Sequence, residues 1–462
     1  MFLSPPVILL VLFALIPYLV FESVIPTIVW LVFVVLLVAL DLWLTPSLKT
    51  VSLEVEAPVK TRVNRLAKLA IKLTGLSPNT HRIKLEIRWA PSIKASDLSP
   101  ISAPQTSRFP SRKKVKSDHS PKLLRRYRRE WFPAKTNKKS ITYAITLEPS
   151  RRHDFHSSPI VVFSFGPLGL AGKHKKYPPT PTVKVLPEFR SAPLLPGYIK
   201  KIVTAEGNNA LLQKGAGSEF DSLRPYVIGD DVRDIDWRAT ARAREAIVKT
   251  WHPEKERQVT IINDAGRQSA VRLTTFPRYD TQLELSLLLA SMAAKTGDKV
   301  NYLEVSNLVR ARALKLKPNA VLETIGLAIA NKEPELVETN WDLAFSTLRN
   351  FHRDGGLIIV LTALDLAMVP AGLLLQLQNA AKRSTVLLIS VTDQTVETIA
   401  NSEIKSEYTS FQRAAATYTL VEQNNLASTL ASYQVTSLTG DESSIATKAA
   451  EKYVWLKRHG LF

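Results

Sequence analysis

The chain has 462 residues, 45% of them hydrophobic, which is enough for two or three packed domains. Its formal net charge of +20 favours anionic partners, either nucleic acid or an acidic membrane surface. It has no cysteine, which excludes disulfides, thiolate metal sites and cysteine nucleophiles and fits a reducing compartment.

Two apolar stretches open the chain, Pro5–Phe21 and Val24–Leu44. The second is long enough to cross a hydrocarbon core, which takes about 20 residues, and the first falls within the tolerated range. With Glu22, Ser23 and Pro26 as a tight turn, residues 1–48 read as a transmembrane helical hairpin. A signal peptide is the alternative for the first stretch, but a basic n-region and a small-residue cleavage site are missing. No Lys or Arg precedes the first helix, whereas Lys49, Lys60, Arg62, Arg65, Lys68 and Lys72 follow the second. The positive-inside rule then puts the soluble part and both termini in the cytoplasm, as in a multi-pass protein of the cell membrane. The same flank can touch anionic headgroups.

Residues 49–200 alternate apolar and polar side chains as strands do. Val51–Glu56, Arg82–Trp89, Thr142–Leu147, Ile160–Phe165 and Thr182–Leu186 predict a small antiparallel β-sandwich, with Phe165–Leu170 as a turn. Residues 92–140 interrupt it as an insertion rich in Ser, Pro, Lys and Arg. Within that insertion, Arg125–Trp131 could form a short basic amphipathic helix. A solvated loop and an anionic ligand explain the insertion equally well, and lipid is the preferred ligand because the membrane is adjacent.

The segment 201–257 holds the densest cluster of specialised residues. Gly215, Gly217 and Gly229 supply backbone freedom. Around them Asp230, Asp231, Asp234 and Asp236 interleave with Arg224, Arg233, Arg238 and Arg242, beside the large apolar Trp237. Carboxylates and guanidiniums in this arrangement suit bidentate pairing. A shape-fixing salt-bridge network is the favoured reading, in which Arg233 would hold a buried carboxylate. A catalytic or metal-binding carboxylate cluster is the alternative, and interleaved arginines would neutralise it.

The pattern Gly-x-Gly-Ser-Glu-Phe over 215–220, followed by Leu-Arg-x-Tyr-x-x-Gly-Asp-Asp-x-Arg-x-Ile-Asp-Trp over 223–237 and then Ala-Arg, resembles the signature of domain of unknown function family 58. The matching positions are Gly215, Gly217, Glu219, Phe220, Leu223, Arg224, Tyr226, Gly229, Asp230, Asp231, Arg233, Asp236, Trp237 and Arg242. The resemblance implies a membrane-anchored protein whose partner is a MoxR-type AAA+ ATPase. The "Pro-Leu-Gly-Leu" element of that family is matched at 167–170.

Residues 258–462 alternate strands and helices. Gln258–Asn263, Lys299–Val305, Leu308–Leu316, Gly356–Thr362, Ser384–Val391 and Val435–Leu438 read as strands. Tyr279–Lys295, Asn319–Ala330, Trp341–His352, Pro370–Lys382, Ser406–Tyr433 and Ser443–Arg458 read as helices. Such alternation predicts a mostly parallel sheet covered on both faces. The order resembles a von Willebrand factor A-like, Rossmann-type domain, which implies a divalent-cation site built on Asp-x-Ser-x-Ser and a second Asp. Here Asp264 is present, but Gly266 and Gln268 replace the serines, Ala363 stands at the second position and Asp365 comes two residues later. Too few oxygen ligands remain for Mg²⁺, so no metal and no cofactor are expected.

A Walker loop, Gly-x-Ser-x-Gly and paired metal-spaced histidines are all absent from the sequence. The expected class is therefore α/β, with a hairpin anchor, a β-sandwich and an A-like domain. The expected role is a non-enzymatic scaffold or adaptor that works with the ATPase in protein assembly or maturation. The alternatives are an anionic-lipid or nucleic-acid binding protein, with nucleic acid the less favoured ligand, and a metal-dependent hydrolase.

Overall fold

The computed structural model of the chain describes residues 1–17, 24–55, 59–76, 83–96, 128–134, 140–178, 182–210, 219–243, 245–252, 257–273, 276–364, 371–404 and 406–462. It divides into two compact units, Met1–Glu188 and Phe189–Phe462.

The first unit begins with strand β1 (Phe2–Leu3) and helix α1 (Pro5–Leu12). Two prolines occupy the first turn of α1, where a missing N–H costs nothing. Helix α2 (Val24–Leu44) has 21 residues and a mean hydropathy of 2.6, and it projects most of its apolar side chains outward. Among the described residues, it is the one helix long and apolar enough to cross a membrane. Of the expected hairpin, the first arm therefore forms the shorter apolar helix, and residues 18–23 lie outside the described residues.

Asp41 is the exception on α2. It is fully buried, and its carboxylate accepts backbone N–H bonds from Leu168 (2.8 Å), Leu170 (2.7 Å) and Ala171 (2.8 Å). Ser4 N–H donates to the Leu170 carbonyl beside it, and β1 pairs with Ala171 and Gly172. The 166–170 turn is thus gripped from two sides by the N-terminal segment. Three charge-assisted bonds from amides explain how a carboxylate tolerates that burial.

Two sheets share one core in this unit. One runs β1, β11 (Ala171–Tyr177), β10 (Ile160–Phe165), β5 (Ile83–Trp89), β7 (Arg128–Ala134). The other runs β2 (Ser52–Val55), β4 (Ala67–Thr74), β8 (Ser140–Pro149), β6 (Ile93–Ser96). Alternate residues Leu69, Ile71 and Leu73 face Leu85, Ile87 and Trp89 in the shared core, as period-two patterning requires. A third sheet joins β3 (Val59–Arg62), β12 (Thr182–Leu186) and β9 (His153–His156), and its β3–β12 pairing is parallel.

Two expectations need correction here. The stretch 128–131 is not helical: Arg128–Ala134 is a strand paired antiparallel with Ile83–Trp89, so ladder hydrogen bonds override the helical pattern. The parallel β3–β12 pair likewise departs from a wholly antiparallel sandwich. Most of the 92–140 insertion, including Arg125–Tyr127, lies outside the described residues.

The second unit opens with helix α3 (Leu195–Ala210), followed by the hairpin β13 (Glu219–Pro225) and β14 (Ile247–His252), with the short helix α4 (Trp237–Ala243) between its strands. Its main sheet has six strands in the order β17 (Val309–Leu316), β16 (Lys299–Val305), β15 (Gln258–Asp264), β18 (Leu357–Leu361), β19 (Thr385–Val391), β20 (Val435–Gly440). All neighbours are parallel except β16–β17. Helix α5 (Arg278–Lys295) is buried along nearly its whole length, under both α3 and the C-terminal helix 445–458. That double covering explains why its sequence is apolar on more than one face. Helices 341–349 and 371–381 cover the other face. The strand and helix expectations for 258–462 agree with this layout to within a few residues at each end. Helices 195–210 and 394–400 were not foreseen.

Candidate functional site

The signature folds as the β13–β14 hairpin with an elaborated connection. Leu223 pairs with Lys249 and Arg224 with Val248, and a bulge falls between Phe220 and Ser222. Of Glu219 and Phe220 only the strand placement is described, and Gly215 and Gly217 lie outside the described residues. The connection turns at Gly229, whose φ of 111° is closed to other residues without strain.

Asp230, Asp231 and Asp236 each have a local task. Asp230 receives Arg224 in a bidentate pair, Nη1 to Oδ2 at 2.7 Å and Nη2 to Oδ1 at 2.6 Å. It also accepts the Val227 N–H at 2.9 Å, which closes the loop. Asp231 caps the following turn by accepting the Arg233 N–H at 2.9 Å. Asp236 Oδ1 accepts N–H bonds from Arg238 and Ala239, both at 3.0 Å, and Oδ2 lies 3.5 Å from Lys249 Nζ. This is ordinary N-capping chemistry. The Arg224 hydrogen bonds hold the Asp230 carboxyl below its usual range, and the Ala239 amide does the same for Asp236. Depressed, committed carboxylates make poor general acids, so the arrangement suits shape rather than proton transfer.

The pairing expected of Arg233 is not found. Its backbone N–H caps with Asp231, and among the described residues its guanidinium has no carboxylate partner. The same holds for Arg238 and Arg242, and all three are exposed. Apolar side chains stand out beside them. Ile228 is 96% and Trp237 70% exposed, with Leu223, Val227 and Val232 also at the surface. Tyr226 is half-buried, and its N–H donates to the Ala246 carbonyl. The module thus commits Asp230, Asp231 and Asp236 to local hydrogen bonds and leaves Arg233, Arg238, Arg242 and several large apolar groups at the surface.

A second candidate lies at the carboxyl ends of β15 and β18, where strand order reverses, the usual ligand crevice of an open α/β sheet. Asp264 sits there, 2% exposed, and burial pushes its carboxyl up. Oδ1 accepts the Gly266 N–H at 2.8 Å and the Thr339 hydroxyl, and Oδ2 accepts the Thr362 hydroxyl at 2.6 Å. Asp264 thus caps the turn that follows its strand through the Gly266 N–H, and the neighbouring Arg267 pairs with Glu338. A Cβ on Gly266 would overlap Thr339 Oγ1 and lie 2.9 Å from the Val337 carbonyl oxygen. The crevice has a volume of only about 10 Å³, at the lower limit for one water. Protein hydroxyls and an amide therefore fill the positions around this carboxylate that an ion would need. Asp365 lies outside the described residues, and among the described residues no group of three or more His, Asp or Glu could hold a metal.

Asp41 escaped the sequence reading, although a lone acid within an apolar helix is a recognisable signal.

Residues 222–403 match the family described as "Protein of unknown function DUF58". Uncharacterized proteins of Mycobacterium tuberculosis and Mycobacterium bovis are 25% identical over 191 residues, which is 40% of this chain and 59% of theirs. The chain thus spans less than two thirds of the length of these relatives. The structure of proximal thread matrix protein 1 from the mussel byssus aligns over 43% of this chain and 46% of its own, at 12% identity and a TM-score of 0.26. That likeness is too low to bear on the fold.

Proposed function

We propose that this chain, which belongs to the DUF58 family through residues 222–403, is a membrane-anchored scaffold that works by binding rather than catalysis. The observation that carries the reading is the division of labour in the signature: Asp230, Asp231 and Asp236 are committed to caps and to Arg224, while Ile228, Trp237, Arg233, Arg238 and Arg242 are exposed. Exposed aromatic and arginine side chains together are the usual composition of interface hot spots. Guanidiniums without a carboxylate partner among the described residues favour a partner with an acidic face.

The partner we propose is a MoxR-type AAA+ ATPase, with protein assembly or maturation as the shared task. We further propose that residues 258–462 form a von Willebrand factor A-like domain and that the two N-terminal apolar helices form a hairpin. Both termini are then cytoplasmic, where such an ATPase would be met. Support for the anchor comes from the apolar surface of Val24–Leu44, and for the hairpin from the bond between Trp30 Nε1 and the Leu10 carbonyl, 2.9 Å.

The test is co-purification of the full chain in detergent with a purified MoxR-type ATPase. The parent should retain the ATPase, and Arg233→Glu with Arg238→Glu should lose it by charge reversal. Retention unchanged by the double reversal would overturn the reading. For topology, a reporter active only outside the cytoplasm should stay silent when fused after Phe462, and activity would refute the cytoplasmic assignment.

A further inference from the structure

A cavity of about 460 Å³ opens at the amino-terminal edge of the six-stranded sheet, the edge opposite Asp264. It lies beside the starts of β18 and β19 and the carboxyl ends of helices 341–349 and 371–381. That volume is in the range of small-molecule sites. Its apolar wall is Phe345, Leu348 and Ile358, all buried. Arg349, Lys382 and Arg383 also line it, against one carboxylate, Asp354. Among the described residues none of these three cations has a carboxylate partner. Among the described residues Arg349 meets the Gln376 amide oxygen at 3.4 Å and Lys382 meets Asn379 at 3.5 Å. Cations in a last helical turn also offset the helix dipole, but that role requires no cavity.

A polar relay reaches the same cavity from the core. Asn301 Nδ2 donates to Thr260 Oγ1 at 3.3 Å, and Thr260 Oγ1 lies 2.9 Å from His352 Nδ1. His352 Nε2 is 3.2 Å from Ser384 Oγ. Among the described residues Nδ1 is the one partner left for the Thr260 hydroxyl proton once Asn301 donates to its oxygen, so satisfying that proton assigns it to Nδ1 and leaves Nε2–H to donate to Ser384. Burial lowers His352 to about 4, so the ring is neutral and carries a single N–H. Ser384 therefore accepts from the imidazole and has its own proton available for whatever fills the cavity. A histidine that donates to the serine cannot also take its proton, so the relay is a binding device and not a nucleophile–base pair.

We propose that this cavity binds a small organic anion with an apolar body, a carboxylate or phosphate monoester on an aryl or short acyl group. The headgroup meets Arg349, Lys382, Arg383 and the Ser384 hydroxyl, and the body lies on Phe345, Leu348 and Ile358. Charge complementarity selects the headgroup, and the desolvated apolar wall selects against fully hydrated ions.

The experiment is calorimetric titration of the full chain in nanodiscs with phenyl phosphate, phenylacetate, inorganic phosphate and benzyl alcohol. At least one of the first two should bind saturably, the tighter identifying the headgroup. Inorganic phosphate and benzyl alcohol should each bind at least tenfold more weakly. Arg383→Gln, at an exposed position, should weaken the preferred probe at least tenfold, and Ser384→Ala severalfold. Saturable binding by neither amphipathic anion would overturn the proposal. So would equal binding of inorganic phosphate, or affinity unchanged in both variants.

Discussion

Lys457 and Asp298 in the α/β core, and Arg224 and Asp230 in the signature, form ion pairs of 2.7 and 2.6 Å. Their surroundings differ far more than their lengths. The Lys457 and Asp298 side chains are 1% and 3% exposed, and Tyr453 and Thr296 complete their hydrogen bonds. Those of Arg224 and Asp230 are 34% and 20% exposed, in a loop open to solvent. Burial pushes the Asp298 carboxyl up, while the Arg224 hydrogen bonds draw the Asp230 carboxyl down. The first pair is a structural commitment that cannot be broken on one side without stranding a charge. The second shapes a loop whose other face remains free to bind. Chemistry and geometry alone would not have separated them; burial does.

The largest effect expected from breaking this contrast is at Lys457. Lys457→Met leaves Asp298 buried beside Tyr453 without its cation, and such a loss typically costs about 3–5 kcal/mol. Chemical denaturation of the full chain should show it, and a cost below about 1 kcal/mol would mean that water reaches the pair. Next comes Gly266→Ser, which restores a serine but drives its Cβ into Thr339. Overpacking of this kind costs about 1–3 kcal/mol. An equally stable variant that gained Mg²⁺ binding by titration would show the crevice to be adaptable. Smaller still is Arg224→Ala, which should lower the denaturation midpoint by less than either of those variants because a half-exposed surface pair is largely screened. Its effect should appear chiefly as faster hydrogen exchange at the Val227 and Asp230 amides.

Acid should separate the same two regions. Asp230 and Asp236 have folded pKa values below their unfolded ones, so their contribution to loop order is present above about pH 4 and is lost as pH falls through the folded values. Asp298 has the opposite sign: its raised folded pKa gives a contribution that is present in acid and lost as pH rises through the folded value. Hydrogen exchange followed from pH 6 to pH 3, corrected for intrinsic rates, should show the 224–240 amides loosening before those of β15. Simultaneous loosening would remove the distinction.

The sequence made the α/β half legible because its strands are continuous apolar runs and its helices carry helical periodicity. Arg128–Ala134 was misread because a basic run looks helical by itself, and its partner strand lies about 45 residues earlier. Ala67–Thr74 was absorbed into a basic flank, since Lys68 and Lys72 are the solvent side of a strand whose other side is Leu69, Ile71 and Leu73. In the signature the acids and arginines were identifiable by type, and Asp230 found its arginine. Which arginines would be left over depended on exposure, which composition does not encode. The cavity at His352 draws on Thr260, Asn301 and Ser384 from three separate strands or their edges, so no local pattern announces it.

On the proposed reading, the exposed side chains of the signature, and not the strand-end crevice, receive the partner. Hydrogen–deuterium exchange of the full chain in nanodiscs, with and without the MoxR-type ATPase, tests this most directly. Protection should concentrate at 223–243 and be abolished in Trp237→Ser, with the amides around Asp264, Thr339 and Thr362 unchanged. Protection confined to those crevice amides, with 223–243 exchanging as in the free chain, would contradict it.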